Sequence, residues 1–194
     1  VVFSSSACVY GEPRRNPIRE DEPLKVTNPY AATKVMVEQV LADLATVGRM
    51  KYVALRYFNV AGAHPSGEIG IKMERPTHLI PNVMRAASGQ NKRLEIFGSN
   101  YPTRDGTCIR DYVHVMDLCE AHLLALKVLE QGKVRSEVVN LGNGRGFSVR
   151  EVVAAAEKVT GCRIPSAIKP RRPGDCMTVV ASFRKAEKLL GWRP

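Results

Sequence analysis

Asn28-Pro29-Tyr30-Ala31-Ala32-Thr33-Lys34 reads as the first turns of a helix. It is framed by Val1-Val2-Phe3-Ser4-Ser5-Ser6 before it and Lys51-Tyr52-Val53-Ala54-Leu55-Arg56-Tyr57-Phe58 after it. Asn28 suits the N-cap, where its side-chain oxygen accepts an orphan backbone N–H. Pro29 suits the first helical position, where its missing N–H is not needed. Val35, Val37, Val40, Leu41 and Leu44 continue as a mainly apolar stripe to a stop at Gly48. The flanking segments are short apolar runs rich in β-formers, as fully buried parallel strands are. Strand, helix and strand in that order predict a right-handed parallel unit, the building block of a doubly wound α/β sheet.

The first strand ends in hydroxyls, and such a strand delivers side chains to a site at its carboxyl end. Tyr30 and Lys34 stand at i and i+4, on one helix face. A phenol ordinarily ionises near about pH 10, and an adjacent ammonium or helix N-terminus lowers that value toward a usable base. Ser6, Tyr30 and Lys34 are therefore the candidate catalytic group. A single Y-x-x-x-K match is a weak motif by itself, and the upstream serine strand is what strengthens it.

Composition narrows the class. With 194 residues, 44% apolar and 25% charged, the chain is long enough for one core or a core and a fraction. No apolar run approaches the ~18 residues of a membrane span. The opening on Val1, without a charged n-region or h-region, is read as a fragment with no secretory signal. Five cysteines, Cys8, Cys108, Cys119, Cys162 and Cys176, lie dispersed with no C-x-x-C pair. That pattern argues for reduced thiols in the cytoplasm and against a metal site. The net charge of +10 is spread over many elements with acidic residues interleaved, which reads as a solvated basic surface and not a nucleic-acid tail.

Further along, 59–77 reads as loop, Pro81 to Ala87 as a short helix and Leu94 to Phe97 as a brief strand. Asp117 caps a helix running to Gly132, and Glu137 to Leu141 forms another strand. Ser148 and Glu151 make an S-x-x-E capping box for a helix stopped by Gly161. Ser182 caps a last helix closed by Gly191.

Several ordered blocks carry a resemblance: Phe3 to Gly11, Asn28 to Lys34, Arg56 to Gly67, His78 to Pro81, Ile96 to Gly98, Asp105 to Asp117, Asn140 to Gly142 and Arg171 to Asp175. Through them the chain resembles the extended short-chain dehydrogenase/reductase superfamily, and within it the nucleotide-sugar epimerases. The resemblance implies the C-terminal part of a Rossmann-type doubly wound parallel sheet plus a smaller α/β substrate-binding lobe. Residues 1–75, joined by 115–147, would be the second half of an NAD-binding domain, and 76–114 with 148–194 the substrate lobe.

It also implies a chemistry: NAD-dependent interconversion of UDP-glucose and UDP-galactose through a 4-keto sugar. Tyr30 would be the base, Ser6 the relay for the sugar hydroxyl, and Lys34 the holder of the cofactor ribose. Ser4, Tyr30, Lys34 and Tyr57 would line the cofactor. Ser6, Phe58, Asn59, His78, Leu79, Glu95, Phe97, Arg110, Arg172 and Asp175 would meet the UDP-sugar, the arginines through paired bonds to the diphosphate. A homodimer is implied for the full length.

Other readings stand at some positions. Tyr57 and Phe58 equally suit core aromatics, Arg110 and Asp111 a surface ion pair, and His78 a helix cap beside Pro81; His114 reads as structural. The neighbouring alternative is a nucleotide-sugar dehydratase or decarboxylase of the same superfamily; Ala7 and Cys8 occupy the place where a dehydratase needs an acidic pair, which disfavours elimination. A non-catalytic UDP-sugar-binding remnant is the alternative of a different class. The Gly-rich loop that cradles a dinucleotide pyrophosphate is absent, so this stretch by itself is expected neither to hold NAD+ nor to turn over. Gly142 to Gly146 follows a late strand and is not read as that loop. Val179 stands where some relatives carry a large aromatic, which leaves room for an N-acetyl group.

Overall fold

A computed structural model describes residues 1–194. The chain divides into two units: Val1–Ile69 with Asp111–Arg145 and Val179–Pro194, and Gly70–Arg110 with Gly146–Thr178.

The larger unit contains β1 (Val2–Ser6), α1 (Pro29–Thr46), β2 (Tyr52–Tyr57) and β3 (Asn59–Ala61). The smaller contributes α2 (Leu79–Ala87) and β4 (Leu94–Phe97), after which β5 (Ile109–His114) carries the chain back across the boundary. Next come α3 (Val115–Glu130) and β6 (Ser136–Leu141) of the larger unit, then β7 (Gly146–Ser148), α4 (Val149–Thr160) and β8 (Ser166–Lys169) of the smaller. The chain re-enters the larger unit through β9 (Thr178–Val179) and ends in α5 (Arg184–Leu190).

In the larger unit β1, β2 and β6 form a parallel sheet in the order β1-β2-β6. Alternation along β2 assigns its faces. Tyr52 and Ala54 pack with Leu41 of α1, whereas Val53 and Leu55 pack with Leu118, Ala121 and Ala125 of α3 and with Ala186 and Leu190 of α5. Helices thus cover both faces, as all-parallel sheets require. The smaller unit builds its own core from Val83, Ala86, Leu94, Ile96, Tyr101, Val149 and Ile164, with β4 parallel to β8.

Local signals behave as their chemistry predicts at α1 and α4. The Asn28 side chain accepts from the Ala31 N–H, and Ser148 and Glu151 complete the reciprocal capping box. Elsewhere tertiary contacts override the sequence expectation. Val37 and Val40 face outward, while Ala31, Glu38 and Leu41 are the buried residues of α1. α3 begins earlier than expected, because the His114 imidazole accepts from the Met116 N–H and takes the cap expected of Asp117.

α2 begins at Leu79 rather than Pro81, and His78 is its N-cap residue without a side-chain capping bond. Ser182 does not cap α5; the N-cap is Phe183, and the Ser182 N–H donates to the Ile18 carbonyl. β3 lies inside the stretch expected to be loop. Residues Val179–Pro194, expected in the smaller lobe, belong to the larger unit, where Trp192 is buried and donates through Nε1 to the Asp117 carbonyl at 2.8 Å.

Candidate active site

Parallel pairing aligns Ser6 with Tyr57 and Tyr57 with Leu141, so these three residues form the last row at the carboxyl end of the sheet. Open α/β sheets place ligands at that end. Tyr30, in the first turn of α1, is 54% exposed, and its phenol is close enough to the Ser6 side chain for that hydroxyl to pull its pKa downward. Lys34, one turn further, donates from Nζ to the Ser4 carbonyl at 2.9 Å and lies 5.3 Å from the Tyr30 ring centroid. Ser6, Tyr30 and Lys34 are therefore brought together.

The electrostatics differ from the expected lowering by Lys34. Desolvation pushes the Tyr30 phenol above its ordinary value, the ionised forms of Cys8 and Tyr57 add to that, and the Ser6 hydrogen bond opposes it. The Ser4 carbonyl holds the Lys34 ammonium over the ring face in a cation–π contact, and the loss of water around the phenol outweighs the Ser6 hydroxyl. Tyr30 rests as a neutral phenol with the Ser6 hydroxyl beside it.

Lys34 spends one of its three N–H donors on Ser4, which leaves two for a vicinal diol. That donor set, beside the half-buried ring of Tyr57, fits the ribose of a nicotinamide dinucleotide. Ser4 faces the other way: its hydroxyl meets His122 Nε2 at 3.2 Å, and His122 Nδ1 lies 2.8 Å from the Leu118 carbonyl. A carbonyl only accepts, so Nδ1 carries the proton and, in the neutral ring, Nε2 accepts from Ser4. The His122 ring is 6.3 Å from that of Tyr57. Sequence reading passed over His122 because a lone histidine inside an amphipathic helix carries no spacing signal.

Cys8 adjoins the group, its N–H donating to Ser6 Oγ at 3.3 Å. Burial pushes its thiol upward, against the pull of the Ser6 bond and the Lys34 charge, and burial does the same to Cys108. Low thiolate content means low reactivity. Iodoacetamide at neutral pH is therefore expected to label the exposed Cys119 and Cys162 first and the buried Cys108 last. Peptide mass mapping reads the order, and early modification of Cys8 would contradict this picture.

Phe58 is buried among Val9, Ile18 and Ala181, so its side chain is core and only its carbonyl is left for a ligand. Asn59 donates from Nδ2 to the Asp111 carbonyl at 3.0 Å. Asp111 is fully buried and makes no pair with Arg110. Its carboxylate accepts from the N–H groups of Asn143 at 2.7 Å, Gly144 at 2.9 Å and Ala181 at 3.0 Å. Burial raises its pKa while those three amides pull it down. This anchor explains the late glycines: a Cβ on Gly142 would sit 2.7 Å from Asp111 Oδ2, and Gly144 has φ of 75° against the Phe183 ring. They serve packing and not phosphate binding.

In the smaller unit Arg110, Arg172, Asp175 and Phe97 converge. Arg172 Nε donates to Asp175 Oδ2 at 3.0 Å, and its guanidinium lies 4.6 Å over the Phe97 ring centroid. Arg110 Nη2 is 3.8 Å from the same carboxylate. Two guanidinium groups around one carboxylate beside an aromatic face suit a base, a ribose diol and a diphosphate. Glu95 is tied to Lys169 at 3.3 Å, and Leu79 packs against the lobe's core at the start of α2, next to His78.

A family model described as the NAD dependent epimerase/dehydratase family matches residues 1–142. UDP-glucose 4-epimerase of Bacillus subtilis (strain 168) is 51% identical over 195 residues, covering 99% of this chain and 57% of the relative. UDP-glucose 4-epimerase of Lacticaseibacillus casei is 48% identical over 194 residues, covering 100% of this chain and 58% of the relative. The chain thus spans just under three-fifths of the length of these relatives.

Among solved structures, UDP-glucose-4-epimerase from Stenotrophomonas maltophila with bound NAD and formylated UDP-arabinopyranose superposes with a TM-score of 0.96. It is 45% identical, and the match covers 99% of this chain and 57% of that one. The Bifidobacterium longum UDP-glucose 4-epimerase in complex with NAD+ and UDP gives a TM-score of 0.91 at 45% identity, covering 99% of this chain and 58% of that one.

Proposed function

Because the chain belongs to the NAD dependent epimerase/dehydratase family, we propose that it is the catalytic and uridine-binding part of a cytoplasmic 4-epimerase that interconverts UDP-glucose and UDP-galactose. The observation that carries this reading is the gathering of Ser6, Tyr30 and Lys34 at the carboxyl end of a parallel sheet, with Lys34 Nζ held by the Ser4 carbonyl and 5.3 Å from the Tyr30 ring centroid.

An unactivated C4 carbinol needs a proton acceptor for its hydroxyl and a hydride acceptor for its carbon. Bound NAD+ would supply the hydride acceptor and a positive charge. Lys34, with its two remaining donors, and Tyr57 would hold that group; once Tyr30 is ionised to the phenolate, which the positive charge of NAD+ would favour, Ser6 gives its hydroxyl proton to Tyr30 as it takes the proton of the sugar hydroxyl. Tyr30 returns the proton in the reverse sense, so one phenol serves as base and then as acid. Arg110, Arg172 and Asp175 hold the diphosphate and ribose, and Phe97 offers its aromatic face to the base. His78 and Leu79 border the nucleotide, backbone groups at Glu95 and Phe97 meet the uracil, and the Phe58 carbonyl with Asn59 lies toward the sugar.

Ala7 and Cys8 after Ser6 provide no acid–base pair for elimination, which supports epimerisation over dehydration. The full-length protein is proposed to be a homodimer, supported by Met36, Val37 and Val40, which α1 turns outward as apolar surface. Sedimentation at a mass of one chain would refute it. Five free thiols support a cytoplasmic setting.

Val179 packs on the cluster that buries Phe58 and is small at a position proposed to border the sugar. Turnover of UDP-N-acetylglucosamine beside UDP-glucose is therefore expected. Val179→Tyr should lower only the former, by about tenfold or more, on the scale of steric discrimination in a pocket. A coupled assay with both sugars checks this, and equal loss on both would refute it.

A further inference from the structure

The row immediately before Ser6 and Tyr57 in the sheet is Ser5, Arg56 and Asn140, aligned by the same parallel register. All three are buried and polar, and Glu38 of α1 is buried opposite them. Arg56 grips Glu38 with two bonds, Nε to Oε1 at 2.9 Å and Nη2 to Oε2 at 2.5 Å. Ser5 Oγ donates to the same Oε1 at 2.5 Å. Arg56 Nη1 donates to the Tyr10 hydroxyl at 3.0 Å, and that hydroxyl donates to Asn140 Oδ1 at 2.7 Å. Asn140 in turn donates from Nδ2 to the Ile18 carbonyl at 3.0 Å, and its N–H reaches Glu20 Oε1 at 2.8 Å.

Three members of this network neighbour members of the proposed active site. Ser5 precedes Ser6, Glu38 stands one helical turn after Lys34, and Arg56 precedes Tyr57. A buried ion pair is a poor stability device, because apolar residues of similar volume serve as well or better; what it fixes is geometry. Neither Glu38 nor Arg56 touches the proton path proposed above. We propose that Glu38 and Arg56, with Ser5, are positioning residues that lock the height of α1 against β1 and β2 and so bring Tyr30 and Lys34 level with Ser6. This inference rests on the functional reading above.

The closing test uses the full-length protein loaded with NAD+. The triple variant Ser5→Ala/Glu38→Leu/Arg56→Met replaces the charged and hydroxyl members by apolar ones and is expected to fold with a Tm near wild type. Its affinity for UDP should stay within about twofold, while kcat for UDP-galactose falls about 100-fold, the scale expected of a misplacement of about 1 Å. The second readout is the titration of Tyr30, followed by NMR of 13C-labelled tyrosine.

The titrating or charged neighbours of that phenol are Cys8, Tyr57 and Lys34, with Ser6 its hydroxyl partner. Moving the Ser6 hydroxyl away from the phenol shifts its midpoint upward. Should the triple variant not fold, Glu38→Gln, which keeps the side-chain shape, carries the same readings. A folded variant with wild-type kcat, or a fallen kcat with an unmoved Tyr30 midpoint, overturns the proposal. A wild type that turns over no UDP-hexose overturns the functional reading instead, and the Tyr30 midpoint then decides the positioning claim alone.

Discussion

Tyr30→Phe in the full-length protein is expected to lower kcat for UDP-galactose by about 10²–10⁴-fold, the range contributed by a positioned general acid–base, with KM changed little. The phenol is the acid–base group beside Ser6 at the sheet's carboxyl end, and the substitution removes its oxygen and nothing else. Arg110, Arg172 and Asp175, proposed to hold the nucleotide, are in the smaller unit and keep their contacts. Ser6→Ala should fall in the same direction by less, since Tyr30 remains. Steady-state kinetics with both sugar nucleotides makes the comparison, and a Tyr30→Phe protein with undiminished kcat would end the assignment of Tyr30.

The second large effect is on stability. Asp111→Ala removes the acceptor of three backbone N–H groups, that of Ala181 buried and those of Asn143 and Gly144 partly buried. An orphaned buried donor costs about 1–3 kcal/mol, and the two partly buried donors less because water reaches them, which puts the loss at about 2–4 kcal/mol. That is a large share of a domain's stability. Asp111→Asn keeps an acceptor and should lose less. Urea unfolding of both variants, with m held constant, measures the difference. A loss below about 1 kcal/mol for Asp111→Ala would mean that water replaces the carboxylate there.

What could be read from sequence divides along a physical line. The caps of α1 and α4 depend on side chains within three residues of the orphan N–H groups, and Asn28 and the Ser148–Glu151 box were legible for that reason. The strands β1, β2 and β6 were legible as apolar runs, and their alternation with helices gave the parallel sheet. The inward face of α1 was not legible. Hydropathy reads Glu38 as surface and Val40 as core, whereas the residue that buries Glu38 is Arg56, on the second strand.

The return of Val179–Pro194 to the larger unit likewise depends on where Trp192 finds an acceptor, the Asp117 carbonyl far away in sequence. Within the site, Ser6, Tyr30 and Lys34 were legible as a spaced triplet. The position of the ammonium was not, because the Ser4 carbonyl sets it. β3 is only three residues long, too short to display a period of two.

The most direct measurement is proton NMR of UDP-galactose incubated with the full-length, NAD+-supplemented protein, following the anomeric resonances. Growth of UDP-glucose signals to a constant ratio in the wild type, with none on the same time scale for Tyr30→Phe, is the predicted result. UDP-galactose unchanged by a folded wild-type protein would contradict it.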